Sequence, residues 1–148
     1  MTAVHRVLYV ASEAYPLIKT GGLADVAGSL PEVLRQQGLD VRLLVPAYAD
    51  LLHGLDTPSE AVAELSLEGD TVRILQCFLP GTSLRTWLLE HPSFSARAGN
   101  PYHDDSGAPW PDNAERFMLL SRAAAAVAET AARARTDTES FTDMKSAP

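Results

Sequence analysis

A short apolar run, Val7-Leu8-Tyr9-Val10, gives way to Lys19-Thr20-Gly21-Gly22, and apolar residues at helical spacing follow at Leu23, Val26, Ala27, Leu30 and Leu34. A strand that hands over to a helix through paired glycines points to α/β architecture. A second apolar run, Val41-Arg42-Leu43-Leu44-Val45, completes a strand–helix–strand unit. Such units cross over right-handed almost without exception, and their ligands sit beyond the carboxyl ends of the strands. The handover at Lys19 to Gly22 therefore falls on the functional edge of the sheet. A helix N-terminus offers unpaired N–H groups and partial positive charge. Lys19 adds a full charge beside it, and Gly22 lets the backbone come close to an anion. The plainer alternatives are a solvated loop lysine and a helix-start glycine. Asp25 lies in the first helical turn, where the dipole alone favours a carboxylate, so its type does not separate a structural role from a binding one.

The rest of the chain reads in the same terms. Pro31 clashes with the carbonyl of residue 27 in a regular helix, so a kink or a fresh helical start is expected there, with Gly38 as terminator. Residues 47–60 read as loop or short helix, punctuated by Gly54 and Pro58. Ala63 to Leu67 and Thr71 to Leu79 flank a Glu68-Gly69-Asp70 turn and read as an antiparallel hairpin, with a further strand over Leu84 to Leu89. A long loop, Ser93 to Pro111, precedes a helix that Asp112 would cap with Glu115 in reply. Its buried stripe is Phe117, Leu120, Ala124, Val127 and Ala131, and Arg133 and Arg135 suit its C-terminal dipole. Residues 136–148 are polar and aperiodic and read as a disordered tail, which leaves 1–135 as the domain. The fold expected is α/β, a Rossmann-like half-domain with a mainly parallel sheet and a β-hairpin insertion, incomplete as it stands.

Composition excludes several functions. A net charge of −7 argues against a nucleic-acid or anionic-membrane surface, and makes a cation at a glycine turn more telling than it would be in a basic protein. The one cysteine, Cys77, rules out an internal disulfide framework and a thiolate-rich zinc site, and suits a cytoplasmic protein. Cys77 itself reads as a small core residue. The stretch Met1 to Val10 is too short and interrupted for a signal peptide or a membrane span. Neither a Walker-type phosphate loop nor a Gly-x-Gly-x-x-Gly turn is present, which disfavours a nucleotide hydrolase or a nicotinamide dehydrogenase. Adjacent Asp104 and Asp105 need not converge, so no metal site is read there. His5, His53 and His91 show no partner pattern and read as surface or satisfied residues.

Lys19-Thr20-Gly21-Gly22-Leu23-Ala24-Asp25-Val26, with Ser12-Glu13-Ala14-Tyr15-Pro16-Leu17-Ile18 before it and Ala27-Gly28-Ser29-Leu30-Pro31 after it, resembles the N-terminal motif of bacterial glycogen and starch synthases. Pro101-Tyr102-His103-Asp104, Asp112-Asn113 and Arg116-Phe117 continue the resemblance, which covers about residues 6 to 130. It implies the first part of the N-terminal Rossmann-like domain of a two-domain GT-B glycosyltransferase. The family moves glucose from ADP-glucose to the non-reducing end of an α-1,4-glucan, retaining the anomeric configuration and needing neither metal nor cofactor. By that resemblance Lys19 compensates the departing diphosphate, Gly22 admits the backbone, and Asp25 faces the sugar. Tyr102 and His103 lie on the acceptor side, Tyr102 stacking on a ring and His103 bonding hydroxyls, with local packing as the alternative. No residue here is expected to be catalytic. A half-cleft is expected to be inactive alone, and the open sheet edge to promote self-association. A non-catalytic sugar-nucleotide or glucan-binding module, or a partner of an intact synthase, are the other readings.

Overall fold

A computed structural model of the protein describes residues 5–56 and 60–145, with side chains described through residue 132. The strand–helix–strand unit forms as expected from β1 (Arg6–Val10), α1 (Gly22–Gln36) and β2 (Asp40–Pro46), with β1 parallel to β2 from Arg6 opposite Asp40 to Val10 opposite Leu44. The short helix α2 (Ala49–His53) follows, then the hairpin β3 (Glu60–Leu67) and β4 (Asp70–Phe78), then β5 (Arg85–Glu90). β5 lies parallel on the other side of β2 and antiparallel to β4, so the sheet order is β1-β2-β5-β4-β3. The α/β half-domain is therefore present with a mixed sheet. The expected hairpin, inserted between β2 and β5 in the chain, extends the same sheet, so two pairings are parallel and two antiparallel. The short α3 (Pro92–Ser95) and the long α4 (Asn113–Lys145) complete the chain.

Burial follows position in the sheet. In β2 the side chains of Val41, Leu43, Leu44 and Val45 are buried, as are Leu88 and Leu89 of β5. This matches central strands covered on both faces. β1 is as apolar as the central strands, but among the described residues nothing pairs its outer edge, and Val7, Leu8 and Tyr9 are half-buried and Val10 is 39% exposed. The opposite edge, β3, carries Glu60 and Glu64 and a register shift between Ala61 and Ala63, features that discourage further pairing. The outer edge of β1 has no such guard beyond Arg6.

Two glycines are demanded by the backbone. At the hairpin, Glu68 and Gly69 have φ of 37° and 96°, the left-handed pair that a two-residue type I′ turn requires. In α1, a Cβ on Gly28 would stand 2.3 Å from the carbonyl oxygen of Tyr15, so the loop after β1 lies directly on the helix at that point. Tyr15 N–H also donates to Ala24 O at 2.9 Å, tying the loop down again.

Pro31 does not begin a fresh helix: α1 is one helix, with Pro31 among its buried residues. The bond missing at Ala27 is offset by burial of the proline ring. The helix ends where expected, with Gly38 at φ +93° and Leu39 N–H reaching back to Leu34 O at 3.2 Å. At α4 the expected capping box is absent. Asp112 turns its carboxylate to Arg97, in a two-pronged pair at 2.6 Å each, and only its backbone carbonyl accepts the first helical bond, from Arg116 N–H at 3.0 Å. A charged fork outcompetes neutral N–H donors for a carboxylate. The stripe of α4 is shifted from the expected one: Leu119, Leu120 and Ala123 are buried, while Phe117, Ala124 and Val127 pack partly buried beside them. The helix also runs past Arg135 to Lys145, so the tail expected from 136 begins as helix. Prolonging a nucleated helix needs far less than starting one. Residues 146–148, the side chains of Arg133 and Arg135, Pro58 and the first four residues lie outside what is described. α4 crosses the sheet obliquely. Arg122 reaches Asp70 where β4 begins, at the carboxyl edge, and Ala131 O accepts from Arg6 at the amino end of β1.

Candidate functional site

β1, β2 and β5 end on the same rim, and the segments leaving that rim meet around one buried carboxylate. Glu13, three residues beyond the end of β1, is 2% exposed. Its Oε2 accepts from Thr20 N–H at 3.1 Å, from Thr20 Oγ1 at 2.5 Å and from Tyr102 Oη at 3.3 Å, and its Oε1 accepts from Gly21 N–H at 3.3 Å. A carboxylate that far from water is tolerated only with its oxygens fully engaged. Glu13 thus holds the Lys19 to Gly22 turn from beneath and joins it to the loop carrying Tyr102. Ser12 braces the same junction. Its hydroxyl lies 2.7 Å from Tyr102 Oη, and its carbonyl accepts from Tyr48 Oη at 2.7 Å. Burial pushes the phenols of Tyr48 and Tyr102 above their ordinary pKa, so both stay protonated and able to donate.

Above this support, Lys19 and Asp25 are brought together. The lysine Nζ lies 2.8 Å from both carboxylate oxygens of Asp25 and 5.8 Å from the centre of the Tyr15 ring. Both side chains are about half exposed, so the pair is worth at most about 1 kcal/mol and gives way readily to a stronger partner. Gly22 opens α1 after Gly21, whose extended backbone carries no capping side chain, and a side chain at Gly22 would meet open space. The first turn of α1 therefore has no side-chain cap and begins beside an exchangeable cation.

Tyr102 and His103 part company. The Tyr102 ring packs at 5.8 Å from Phe117, and its hydroxyl belongs to the Glu13 cluster. His103 is exposed, with Nδ1 3.4 Å from Asn100 Oδ1. The loop around them is braced along its length. Asn100 Oδ1 accepts from the N–H groups of Tyr102 and His103, and Asp104 Oδ1 accepts from Ser106 N–H, Ser106 Oγ and Ala108 N–H. The Ser106 hydroxyl, first among these, holds the Asp104 carboxyl below its usual pKa. Arg97 lies over the Trp110 ring at 4.9 Å while gripping Asp112, whose pKa that grip lowers.

Three supporting residues were not singled out from sequence. Glu13 stood in the motif's flank without a role, although an acid just past a parallel strand was a usable signal. Arg116 is 2% exposed, bonded to Pro101 O and Asn113 Oδ1 at 3.0 Å each and stacked 5.0 Å from the Phe94 ring. Its spacing to Leu119, Leu120 and Ala123 already placed it on the apolar face of α4. Desolvation draws its pKa down. Tyr48 gave no signal. His91 is a satisfied residue: its Nδ1 accepts from Ser93 N–H to cap α3, and its Nε2 lies 3.4 Å from Asp70. Cys77 is half-buried on β4, its thiol pushed up to about 11 by burial. Among the described residues, no group of three or more His, Cys, Asp or Glu side chains could hold a metal ion, and no helix is long and apolar enough to cross a membrane.

Comparison with known proteins gives consistent results. Residues 6–143 match the family described as the starch synthase catalytic domain. Glycogen synthase 1 of Methylococcus capsulatus is 50% identical over 119 residues, covering 80% of this chain and 24% of that protein. Glycogen synthase of Cellvibrio japonicus is 51% identical over 130 residues, covering 84% of this chain and 26% of that protein. The chain thus spans about a quarter of the length of these relatives. In structure it resembles the catalytic domain of Starch Synthase IV from Arabidopsis thaliana bound to ADP and acarbose, with a TM-score of 0.57 and 23% identity over 83% of this chain and 24% of that one. That likeness is one of fold. With the family match spanning nearly all of its described residues, the chain belongs to the starch synthase catalytic domain family.

Proposed function

We propose that this chain, with residues 1–135 as its catalytic-domain portion, is the first part of an ADP-glucose-dependent glycogen synthase of cytoplasmic location. The complete enzyme would transfer glucose to the non-reducing end of an α-1,4-glucan with retention. The observation that carries this reading is the Glu13 cluster, which rigidly sets a cation and an uncapped helix N-terminus on the carboxyl rim, next to the Tyr102 loop. An arriving diphosphate displaces Asp25 from Lys19 and meets the first-turn N–H groups of α1 near Gly22. Asp25, released, is free to bond a sugar hydroxyl, and His103 offers its ring on the acceptor side. Fixed donors aimed at developing charge are a large source of rate enhancement. The solved neighbour bound to ADP and acarbose supports a nucleotide and a glucan as the two ligands. Turnover needs both substrates aligned and water excluded, and these residues span about a quarter of the relatives' length, so by themselves they are expected to bind without turnover.

Calorimetric titration checks this. ADP-glucose should bind weakly and lose about tenfold in affinity in Lys19→Gln, as expected for one charge-assisted contact. Absence of heat and of thermal shift with both ADP-glucose and maltooligosaccharide would remove the binding reading. Incorporation of labelled glucose into glycogen by the purified chain would overturn the claim of inactivity.

A second reading, self-association, is favoured by the outer edge of β1, which no strand pairs among the described residues. Beside it, α1 exposes Leu23, Val26, Leu30 and Val33 by 42–49%, at the spacing of a single helical seam. Light scattering should show a concentration-dependent dimer that Leu30→Asp returns to monomer. A monomer at every concentration excludes it.

A further inference from the structure

The rim opposite the Lys19 turn gathers positive charge on a chain whose net charge is −7. There the end of α1 and the starts of β2 and β5 enclose a cleft of about 370 Å³, among whose lining residues are Arg35, Asp40, Arg42, Ser83 and Arg85. We propose that this cleft binds a small phosphate-bearing ligand, at a site separate from the one on the carboxyl rim. β2 has 7 residues, which puts the two rims about 20 Å apart at roughly 3.3 Å per residue.

The three guanidiniums come from three elements and are differently prepared. Arg35 is held by Glu32 through Nε at 2.8 Å and Nη2 at 2.9 Å, leaving its other Nη without an acceptor. Arg42 gives Nη1 to Asp40 at 2.5 Å and lies 5.7 Å from the Trp87 ring centre, so its plane is set before any ligand arrives. Asp40 is further occupied by Arg6, at 3.8 Å from beyond the cleft. Arg85 is exposed, and its side chain has neither a hydrogen bond nor an ion pair among the described residues. Two fixed forks and one free one, with the Ser83 hydroxyl beside them, suit the several oxygens of a phosphate, which planar guanidiniums engage in pairs. Side chains already immobilised lose little entropy on binding. The negative end of α1 is blunted, since Gln37, Gly38 and Leu39 N–H groups occupy the carbonyls of its last turn. A volume near the lower bound for ligand pockets favours a phosphate or diphosphate group over a large molecule.

The test is titration of the whole chain with inorganic pyrophosphate and, separately, with ADP, followed by amide chemical shifts. Pyrophosphate should bind at submillimolar concentration, perturb Leu39 to Arg42 and Ser83 to Arg85, and weaken as salt is raised. Arg85→Gln should reduce the affinity read from the shifts of these residues about tenfold or more. Arg85 has no partner to lose, and Arg35→Gln supplies a second variant on another element. If ADP perturbs the same residues, the site accepts a phosphate carried on an organic group; if pyrophosphate alone does so, the ligand is a free inorganic anion. Perturbations confined to Thr20 to Leu23, or persisting undiminished in both arginine variants, would overturn the proposal, as would none at all. Because the Lys19 site is read separately, loss of one assignment leaves the other standing.

Discussion

Glu13→Ala should lower stability by about 3 kcal/mol, which for a chain of this size corresponds to a fall in melting temperature of about 6–12 °C. The substitution removes the acceptor for two backbone N–H groups and two hydroxyls at once. Each bond to a buried charge is worth more than a neutral one, but Thr20 and Gly21 lie near the surface and water recovers part of the loss. Glu13→Gln should cost about half as much, since one carbonyl oxygen remains while the new amide N–H₂ opposes a donor. Hydrogen exchange gives the more specific reading: the amides of Thr20 and Gly21 should lose protection while those of β2 keep theirs. A melt within a degree of the parent, with those two amides still protected, would mean that the turn is held by something other than this carboxylate.

Gly28→Ala sets helix propensity against packing, and packing should prevail. Alanine in a helix interior is favoured over glycine by about 1 kcal/mol. Here its methyl group would stand 2.3 Å from Tyr15 O and 3.1 Å from two further backbone atoms of Tyr15, none of which is a flexible tip. Moving the loop off the helix also strains the Tyr15 N–H bond to Ala24 O. A net loss of about 2 kcal/mol is expected, with the Lys19 turn displaced, since overpacking of this kind costs about 1–3 kcal/mol. Gly22→Ala is the control: its methyl meets open space, and stability should stay within about 1 kcal/mol. Urea unfolding of both variants decides the matter, and a Gly28→Ala protein more stable than its parent would show that the close approach is not real.

How much of this was legible beforehand depends on the range of the interaction. Gly38 and Gly69 announced their left-handed conformations through residue type, and both long helices start where the 3.6-residue spacing put them, but in α1 the side turned inward is Ala24, Ala27 and Pro31, while Leu23, Val26 and Leu30 of the expected apolar face are exposed. Pro31 shows that a local rule bends when the ring itself can be buried. Asp112 shows the same from the other side, since a capping signal three residues long lost to Arg97, fifteen positions away. At the candidate site, Lys19, Gly22 and Asp25 are legible as candidates because they lie close in sequence to a recognisable turn. The support beneath them was not found, because Glu13 meets Tyr102 across 89 positions and Ser12 meets it across 90.

By itself, then, the order of residues determined which segments become strand or helix, where the turns fall, and which rim carries the glycine turn, because periodicity, φ preference and crossover handedness act over a few residues or follow from chirality. Only the tertiary structure decided that β1 lies outermost among the described strands, that β5 rather than the hairpin lies against β2, that Glu13 is the buried hub, and that Arg35, Arg42 and Arg85 share a cleft. Those outcomes depend on which distant surfaces exclude water from one another, and that competition is settled across the whole sheet at once rather than within any window of the chain.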